Sequence, residues 1–218
     1  MQGFRSKSTL TEEQEKNRTA QTINMHSSYT THNYEDVFRS IVSAYQPTVC
    51  VELGVLEGYS SVAIAKGLKE NFEKGGGRGH LTAYDLFEGY EFRNSPIART
   101  RDNIEKAGVQ DFITLVQQSA YSASEDYQPN SVHLLHVDIS NTGDIVRNMM
   151  QQWDPKMVTG GIICFEGGTE ERDHVEWMVK YSKPSINNEL ESNQIIADSY
   201  VFATYMRFPG LSCLLKKR

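Results

Sequence analysis

This chain has few cysteines, few basic residues and no long apolar run, and each shortage removes a class of protein. Its three cysteines, Cys50, Cys164 and Cys213, lie far apart in 218 residues, each inside an apolar stretch. They are too few and too scattered for a disulfide framework or a zinc site, and they suit small core residues in a reducing, cytoplasmic setting. No segment approaches the roughly 18 apolar residues that cross a bilayer. The opening stretch, Met1 to Thr22, is too polar for a secretory leader, so a soluble protein without a membrane partner is expected. Positive charge is also short: 22 lysines and arginines face 28 aspartates and glutamates, a formal net charge of -6. A nucleic-acid surface needs a basic face or basic runs. The one basic cluster, Lys216-Lys217-Arg218, suits a solvated chain end, so nucleic acid is not an expected partner. No internal repeat is visible, and the length suits one domain with a short N-terminal extension.

Residues Met1 to Gln21 are rich in Lys, Glu, Gln, Ser and Thr, which reads as a mobile tail or a weakly held helix opened by Thr11-x-x-Gln14. The boundary falls between a segment 1–32 and a folded domain 33–218. From Asn33, Val37, Phe38, Ile41, Val42 and Tyr45 recur at helical spacing until Pro47 stops them. A strand at Val49 to Leu53 follows, then a glycine turn. Next comes a helix capped by Ser60 or Ser61 that runs to the Gly75-Gly76-Gly77 break. Strands follow at Leu81 to Tyr84, Phe112 to Val116, Val132 to Val137 and Ile162 to Phe165, with helices at Arg99 to Ala107, Asp144 to Gln152 and Glu171 to Lys180. Two closing strands, Tyr200 to Phe208 and Leu211 to Leu215, meet at Pro209-Gly210. Alternating helices and short, near-continuous apolar strands predict an α/β fold with a doubly wound, mostly parallel sheet covered on both faces. The Pro-Gly corner makes a hairpin, so one C-terminal strand runs antiparallel. Met149, Met150 and Trp153 read as helix core.

The most informative stretch is Val49-Cys50-Val51-Glu52-Leu53-Gly54-Val55-Leu56-Glu57-Gly58-Tyr59-Ser60-Ser61, a strand, a tight turn and a helix start, where α/β proteins hold a cofactor. Its spacing is Glu-x-Gly-x-x-x-Gly, and Glu57 lies where a dinucleotide would set its pyrophosphate. Two like charges about 4 Å apart repel by about 4 kcal/mol at an effective dielectric of about 20. The loop therefore suits a cofactor with little phosphate and some positive charge. Four acids, Glu52, Asp85, Asp138 and Glu166, end strands along the edge where such sheets bind ligands. The alternative for each is an ordinary cap on the helix that follows.

These residues resemble the class I S-adenosylmethionine-dependent methyltransferases, whose first motif is an acid at the end of strand one followed by a glycine turn. The pattern is closest to small-molecule O-methyltransferases of the macrocin, antibiotic-tailoring and catechol types. The resemblance covers about residues 30 to 215. It implies a Rossmann-like, seven-stranded domain with S-adenosylmethionine held by Glu52, Gly54, Gly58, Tyr59, Ser60, Asp85, Ser119, Ala120, Tyr121 and Asp138. Asp85 would accept the ribose hydroxyls, and Tyr121 would stack on the adenine or pack as wall. The acceptor would be a small molecule methylated at a hydroxyl. Cation-dependent relatives hold magnesium or manganese between acids after strands four and five, which here gives Asp138 and Glu166. Gly167 and Asn141 depart from the family's further ligands, and Ser140 and Asn141 bring only neutral oxygens. Without a metal, the hydroxyl proton needs a base, for which the candidates are Asp138 and the histidines His26 and His32 of a segment that in this family folds over the cofactor as a lid. Tyr90 and Phe92 read as a substrate wall or a plain apolar cover. Self-association stays open. The rival readings are a non-catalytic cofactor-binding or sensing protein on the same fold and, less well matched by the glycine spacing, a nicotinamide-dependent oxidoreductase.

Overall fold

In the computed structural model, residues 23–92 and 94–217 are described. The expected Thr11 cap and most of the N-terminal tail lie outside them. The chain forms seven strands: β1 (Val49–Leu53), β2 (His80–Asp85), β3 (Ile113–Gln117), β4 (Val132–Val137), β5 (Met157–Glu166), β6 (Tyr200–Tyr205) and β7 (Leu211–Lys216). The helices are α1 (Tyr34–Tyr45), α2 (Tyr59–Glu73), α3 (Ile97–Lys106), α4 (Gly143–Trp153), α5 (Glu170–Asp173), α6 (Glu176–Lys180), α7 (Ile186–Ser192) and α8 (Gln194–Ser199). The strands make one sheet in the order β3-β2-β1-β4-β5-β7-β6. Neighbours from β3 to β5 are parallel, and β7 runs antiparallel to both β5 and β6. The hairpin that the Pro-Gly corner predicted is there, and it places the last strand inside the sheet, with β6 at the edge.

Alternation along the strands divides the core between two faces. Cys50, Leu81, Ala83, Leu134 and Cys164 pack toward α1 and α2 with Tyr29, Tyr34 and Phe38. Val51, Leu53, Leu135, Val137 and Phe165 pack toward α4, where Met149, Met150 and Trp153 are fully buried. Helix α1 closes tightly on α2 because Gly67 has no side chain: a Cβ there would lie 2.8 Å from that of Val42. Cys50 and Cys164 are buried core residues as expected, but the antiparallel pairing of β5 with β7 brings Cys213 opposite Cys164, with the two sulfurs 3.6 Å apart.

Three expectations shift for identifiable reasons. Ser60 and Ser61 do not cap α2; the cap is Gly58 in a left-handed conformation, because both hydroxyls turn inward to the Glu52 carboxylate. Strand β5 begins at Met157, before the expected Ile162, and takes in Gly160 and Gly161. They form a bulge within a ten-residue strand, between the pairs Val132–Met157 and Leu134–Ile162. The single helix expected at Glu171 to Lys180 is two short ones, since Val175 between them is extended. Helices α7 and α8 then follow with their own caps: Ser185 accepts from Asn188 N–H, and Asn193 accepts from Ile195 and Ile196 N–H.

Candidate active site at the strand ends

The register of the parallel sheet decides which acids meet. Leu53 pairs with Tyr84 on β2 and with Val137 on β4, so the next residues, Asp85 and Asp138, flank Gly54 on its two sides. Gly54 N–H donates to the Tyr84 carbonyl (2.9 Å) and Asp138 N–H to the Leu53 carbonyl (2.8 Å). Gly54 has φ +87, and a Cβ would sit 2.0 Å from the Asp138 carbonyl oxygen, so no other residue fits this crossing.

Asp85 fixes the glycine turn. Its Oδ2 accepts from Val55 N–H (2.6 Å) and Leu56 N–H (3.0 Å), and its Oδ1 from Phe87 N–H (2.7 Å). A carboxylate has about four acceptor sites, so capacity for a further donor remains. Helix α3 braces the same turn from outside, with Thr100 Oγ1 donating to the Leu56 carbonyl (2.6 Å) and Asn103 Nδ2 to that of Glu57 (2.9 Å). Glu57 is not a bare acid: Arg99 reaches both of its oxygens (3.0 and 3.2 Å), and His26 N–H donates to Oε2 (2.8 Å).

Glu52 lies two residues before Gly54 and points to the α1/α2 face, fully buried. Ser60 Oγ (2.5 Å), Ser61 Oγ and His136 Nδ1 (2.9 Å) bond its carboxylate. His136 Nε2 meets the Tyr29 hydroxyl at 3.0 Å. With the imidazole proton on Nδ1, every atom of this chain is satisfied: Nδ1–H donates to Glu52 and Nε2 accepts from Tyr29. Burial, and then the charges of Asp138, Glu166 and Glu52, hold the Tyr29 hydroxyl well above its ordinary pKa, so it stays a donor.

Asp138 differs from both of these acids. Among the described residues no donor bonds its carboxylate. Burial first, then the nearby Glu166 charge, push it up to about 7, against the opposing pull of Arg172. A base of that affinity changes charge near neutral pH.

At the end of β5, Gly167 (φ +114) and Gly168 (φ +98) turn the chain back, and Thr169 caps α5 so that Arg172 folds onto Glu166. Arg172 Nε donates to both Glu166 oxygens (2.9 and 3.1 Å), and Nη2 to the Asn141 carbonyl (3.3 Å). Asn141 joins the strand ends, its Nδ2 donating to the carbonyls of Val137 (2.8 Å) and Glu166 (2.9 Å). This set does not fit the divalent cation for which Asp138 and Glu166 were candidates. A guanidinium already faces Glu166, and Asn141 turns its amino group, not its oxygen, to the junction. Among the described residues no three His, Cys, Asp or Glu side chains are grouped to hold a metal ion.

The other candidates distribute as follows. Gln118 N–H donates to the Asp85 carbonyl (3.0 Å), which brings the turn of Ser119, Ala120 and Tyr121 beside β2. Ser119 Oγ accepts from Tyr121 N–H (3.3 Å), Ala120 packs on the core, and Tyr121 is 51% exposed, an open ring rather than a wall. Tyr59 is half-buried, and its hydroxyl accepts from Glu35 N–H (3.2 Å). The segment carrying His26 and His32 lies against the glycine turn through the His26 backbone, yet both imidazoles are exposed and, among the described residues, unpartnered. The structure therefore does not bring these histidines to the strand-end acids. Tyr90 and Phe92 are exposed as well, with ring centres 5.5 Å apart. From the sequence, Tyr29 reads only as an aromatic flanking this edge and His136 as a packed strand histidine near it, while Arg172 has no place among the candidates. His136 was readable as facing the same side as Glu52 once β4 paired with β1; Arg172 gave no local signal.

Residues 51–166, more than half of the chain, match the family model described as a methyltransferase domain. No curated protein matches the chain. Among solved structures, the chain is similar to an O-methyltransferase from Bacillus cereus in complex with S-adenosylhomocysteine (16% identity, 98% of this chain and 92% of that one, TM-score 0.62). It is similar also to a methyltransferase from Podospora anserina bound to S-adenosylhomocysteine (15%, 94% and 86%, TM-score 0.61). A third likeness is to a methyltransferase from Geobacter sulfurreducens (11%, 95% and 86%, TM-score 0.60). At these identities the likeness establishes the Rossmann-like fold, which the sheet order shows independently. The span of the family match runs from β1 to the end of β5, across all four strand-end acids, and the chain belongs to the methyltransferase-domain family.

Proposed function

We propose that this protein transfers the methyl group of S-adenosylmethionine to a hydroxyl of a small molecule, with Asp138 as the base. The carrying observation is that Asp85 and Asp138 flank Gly54 and that, of the two, Asp138 has a carboxylate without a donor among the described residues. The bound donor supplies an activated carbon that passes from sulfur to the acceptor oxygen, sulfur keeping the bonding pair and the hydroxyl proton going to a base. Gly54, Gly58 and Asp85 would hold its nucleoside half, with Ser119, Ala120 and Tyr121 beside the base. The acids along this edge favour a ligand that carries positive charge. Glu52, sealed below the turn, would hold α2 and the turn in place through Ser60 and Ser61 rather than touch the cofactor. Asp138 would take the proton, a role that its burial and then the nearby Glu166 charge favour near neutral pH. No divalent cation enters this reading, and the solvent-facing His26 and His32 have no part in it.

Calorimetry with S-adenosylmethionine and S-adenosylhomocysteine tests the donor half, and transfer of a radiolabelled methyl to a panel of small hydroxyl compounds tests the rest. Binding of both ligands with turnover is expected. No heat with either ligand rejects the reading. Heat without turnover leaves the binding and overturns the transfer, the outcome for a sensing protein on this fold.

A further inference from the structure

The junction between β4 and β5 holds a positive charge of its own, Arg172, paired with Glu166, one of the two acids that were candidates for a divalent cation. We propose that Arg172 is a resident cation at this site, anchored to Glu166 through Nε and presenting Nη1 to an oxygen of the methyl acceptor. This rests on the proposed transfer to a hydroxyl.

Two observations separate Arg172 from a purely structural ion pair. The first is its orientation on the carboxylate. An arginine that only neutralises a carboxylate commonly sets two nitrogens in parallel against the two oxygens. Here Nε alone serves both Glu166 oxygens, and the two Nη groups point elsewhere, one to the Asn141 carbonyl. The second is a vacancy among its donors. The Arg172 side chain is only 7% exposed, and Nη1 is shut off from solvent with no acceptor among the described residues. Buried donors of charged groups are rarely left in that state, since the lost solvation has no replacement. An acceptor oxygen supplied by a ligand would complete the set.

The surroundings hold the guanidinium in place for that purpose. Thr169 caps the turn that carries it, Gly167 and Gly168 supply the left-handed backbone that reverses the chain, and its Cζ lies over the Trp177 ring, 5.2 Å from the ring centre. The charges around it also indicate the ligand class. Glu166 already balances Arg172, while Asp138 and Glu52 stand nearby on the adjoining strands, so a third carboxylate brought in by a ligand would be repelled. A neutral hydroxyl or phenol fits. Its oxygen would be held by Nη1, and a divalent cation competing for Glu166 would have to displace a guanidinium.

Three measurements on the full chain test this. Calorimetry with S-adenosylhomocysteine on the wild type checks the donor site by itself; its failure removes the proposed function, whatever Arg172 does. With that ligand bound, manganese(II) added alone and followed by electron paramagnetic resonance is expected to keep the spectrum of the free ion. Uptake that disappears in Asp138→Asn overturns the resident-cation proposal without touching the donor reading. The third uses 4-fluorocatechol, followed by fluorine-19 line broadening in the presence of S-adenosylhomocysteine. The wild type is expected to bind it. Arg172→Lys, which keeps the charge beside Glu166 but loses the second arm of the fork, is expected to bind it about tenfold more weakly with S-adenosylhomocysteine affinity unchanged. No binding by the wild type, or equal binding by the variant, overturns the proposal.

Discussion

The ends of β1 and β5 each bury a glutamate, and the two are satisfied by different means. Glu52 is surrounded by dipoles: two serine hydroxyls from α2 and the His136 imidazole, itself bonded to Tyr29. Glu166 meets a full opposite charge in Arg172. The buried Glu52 therefore sits among dipoles, with the Arg99 guanidinium committed to Glu57 in the turn, whereas Glu166 is balanced directly. Asp138 lies between these regions with no donor among the described residues, and burial, then the neighbouring Glu166 charge, raise its proton affinity. The contrast fits a positively charged donor on the β1 and β2 side and a neutral acceptor toward β5.

The sharpest way to break this comparison is to remove the group between the two regions. Asp138→Asn is expected to lower kcat by roughly 10²–10⁴ while the protein stays folded, as measured by single-turnover methyl transfer; a loss below tenfold would move the base elsewhere. The two glutamates are then separable by stability. Arg172→Met leaves Glu166 buried without its counter-charge and is expected to cost roughly 3–5 kcal/mol in urea unfolding. Glu52→Gln places an amide against partners that already donate, and is expected to cost less, roughly 1.5–3 kcal/mol. Equal costs would erase the distinction between dipolar and ionic satisfaction.

The Asp138 environment also sets a pH dependence. Its folded pKa of about 7 lies above its ordinary value of 3.8, so between those values the folded state binds more protons than the unfolded state. Stability is therefore expected to fall as pH rises from about 4 to about 7 and to level off above that. With Asp138 as the proposed base, the rate of transfer is expected to run the opposite way, rising with pH through about 7. Burial, then Glu166 and Glu52, favour the protonated form, while Arg172 opposes it, and Tyr29 stays neutral throughout. Asp138→Asn should remove the corresponding slope from chemical unfolding at a series of pH values. The smallest effect belongs to Tyr29→Phe, which leaves His136 Nε2 without its donor and should cost about 1 kcal/mol in thermal unfolding.

Much of this protein is legible in local pattern. Apolar strands with terminal acids, Gly54 and Gly58 at their spacing, and Pro209-Gly210 led to the sheet and its closing hairpin, because periodicity and turn chemistry act over a few residues. Residues 181–199 were harder to read because α7 and α8 are short and polar; only their caps, Ser185 and Asn193, announce them. Ser60 and Ser61 looked like caps because a hydroxyl at a helix start usually bonds the backbone. A buried carboxylate across the turn is the stronger claim on them, and it is invisible until β1 and α2 are packed.

The chain by itself determined the α/β class, the order of its elements and the strand-end position of four carboxylates, since each follows from short-range spacing. Tertiary structure alone decided what those carboxylates meet. Glu52 and His136 are 84 residues apart, and Arg172 reaches the carbonyl of Asn141 31 residues before it. Such partnerships depend on strand register and on the direction in which a turn sends the chain. Four carboxylates at like positions thereby became a clamp on a turn, a sealed anchor, an acid with no donor among the described residues and half of an ion pair, because proton affinity and bonding are set by neighbours in space.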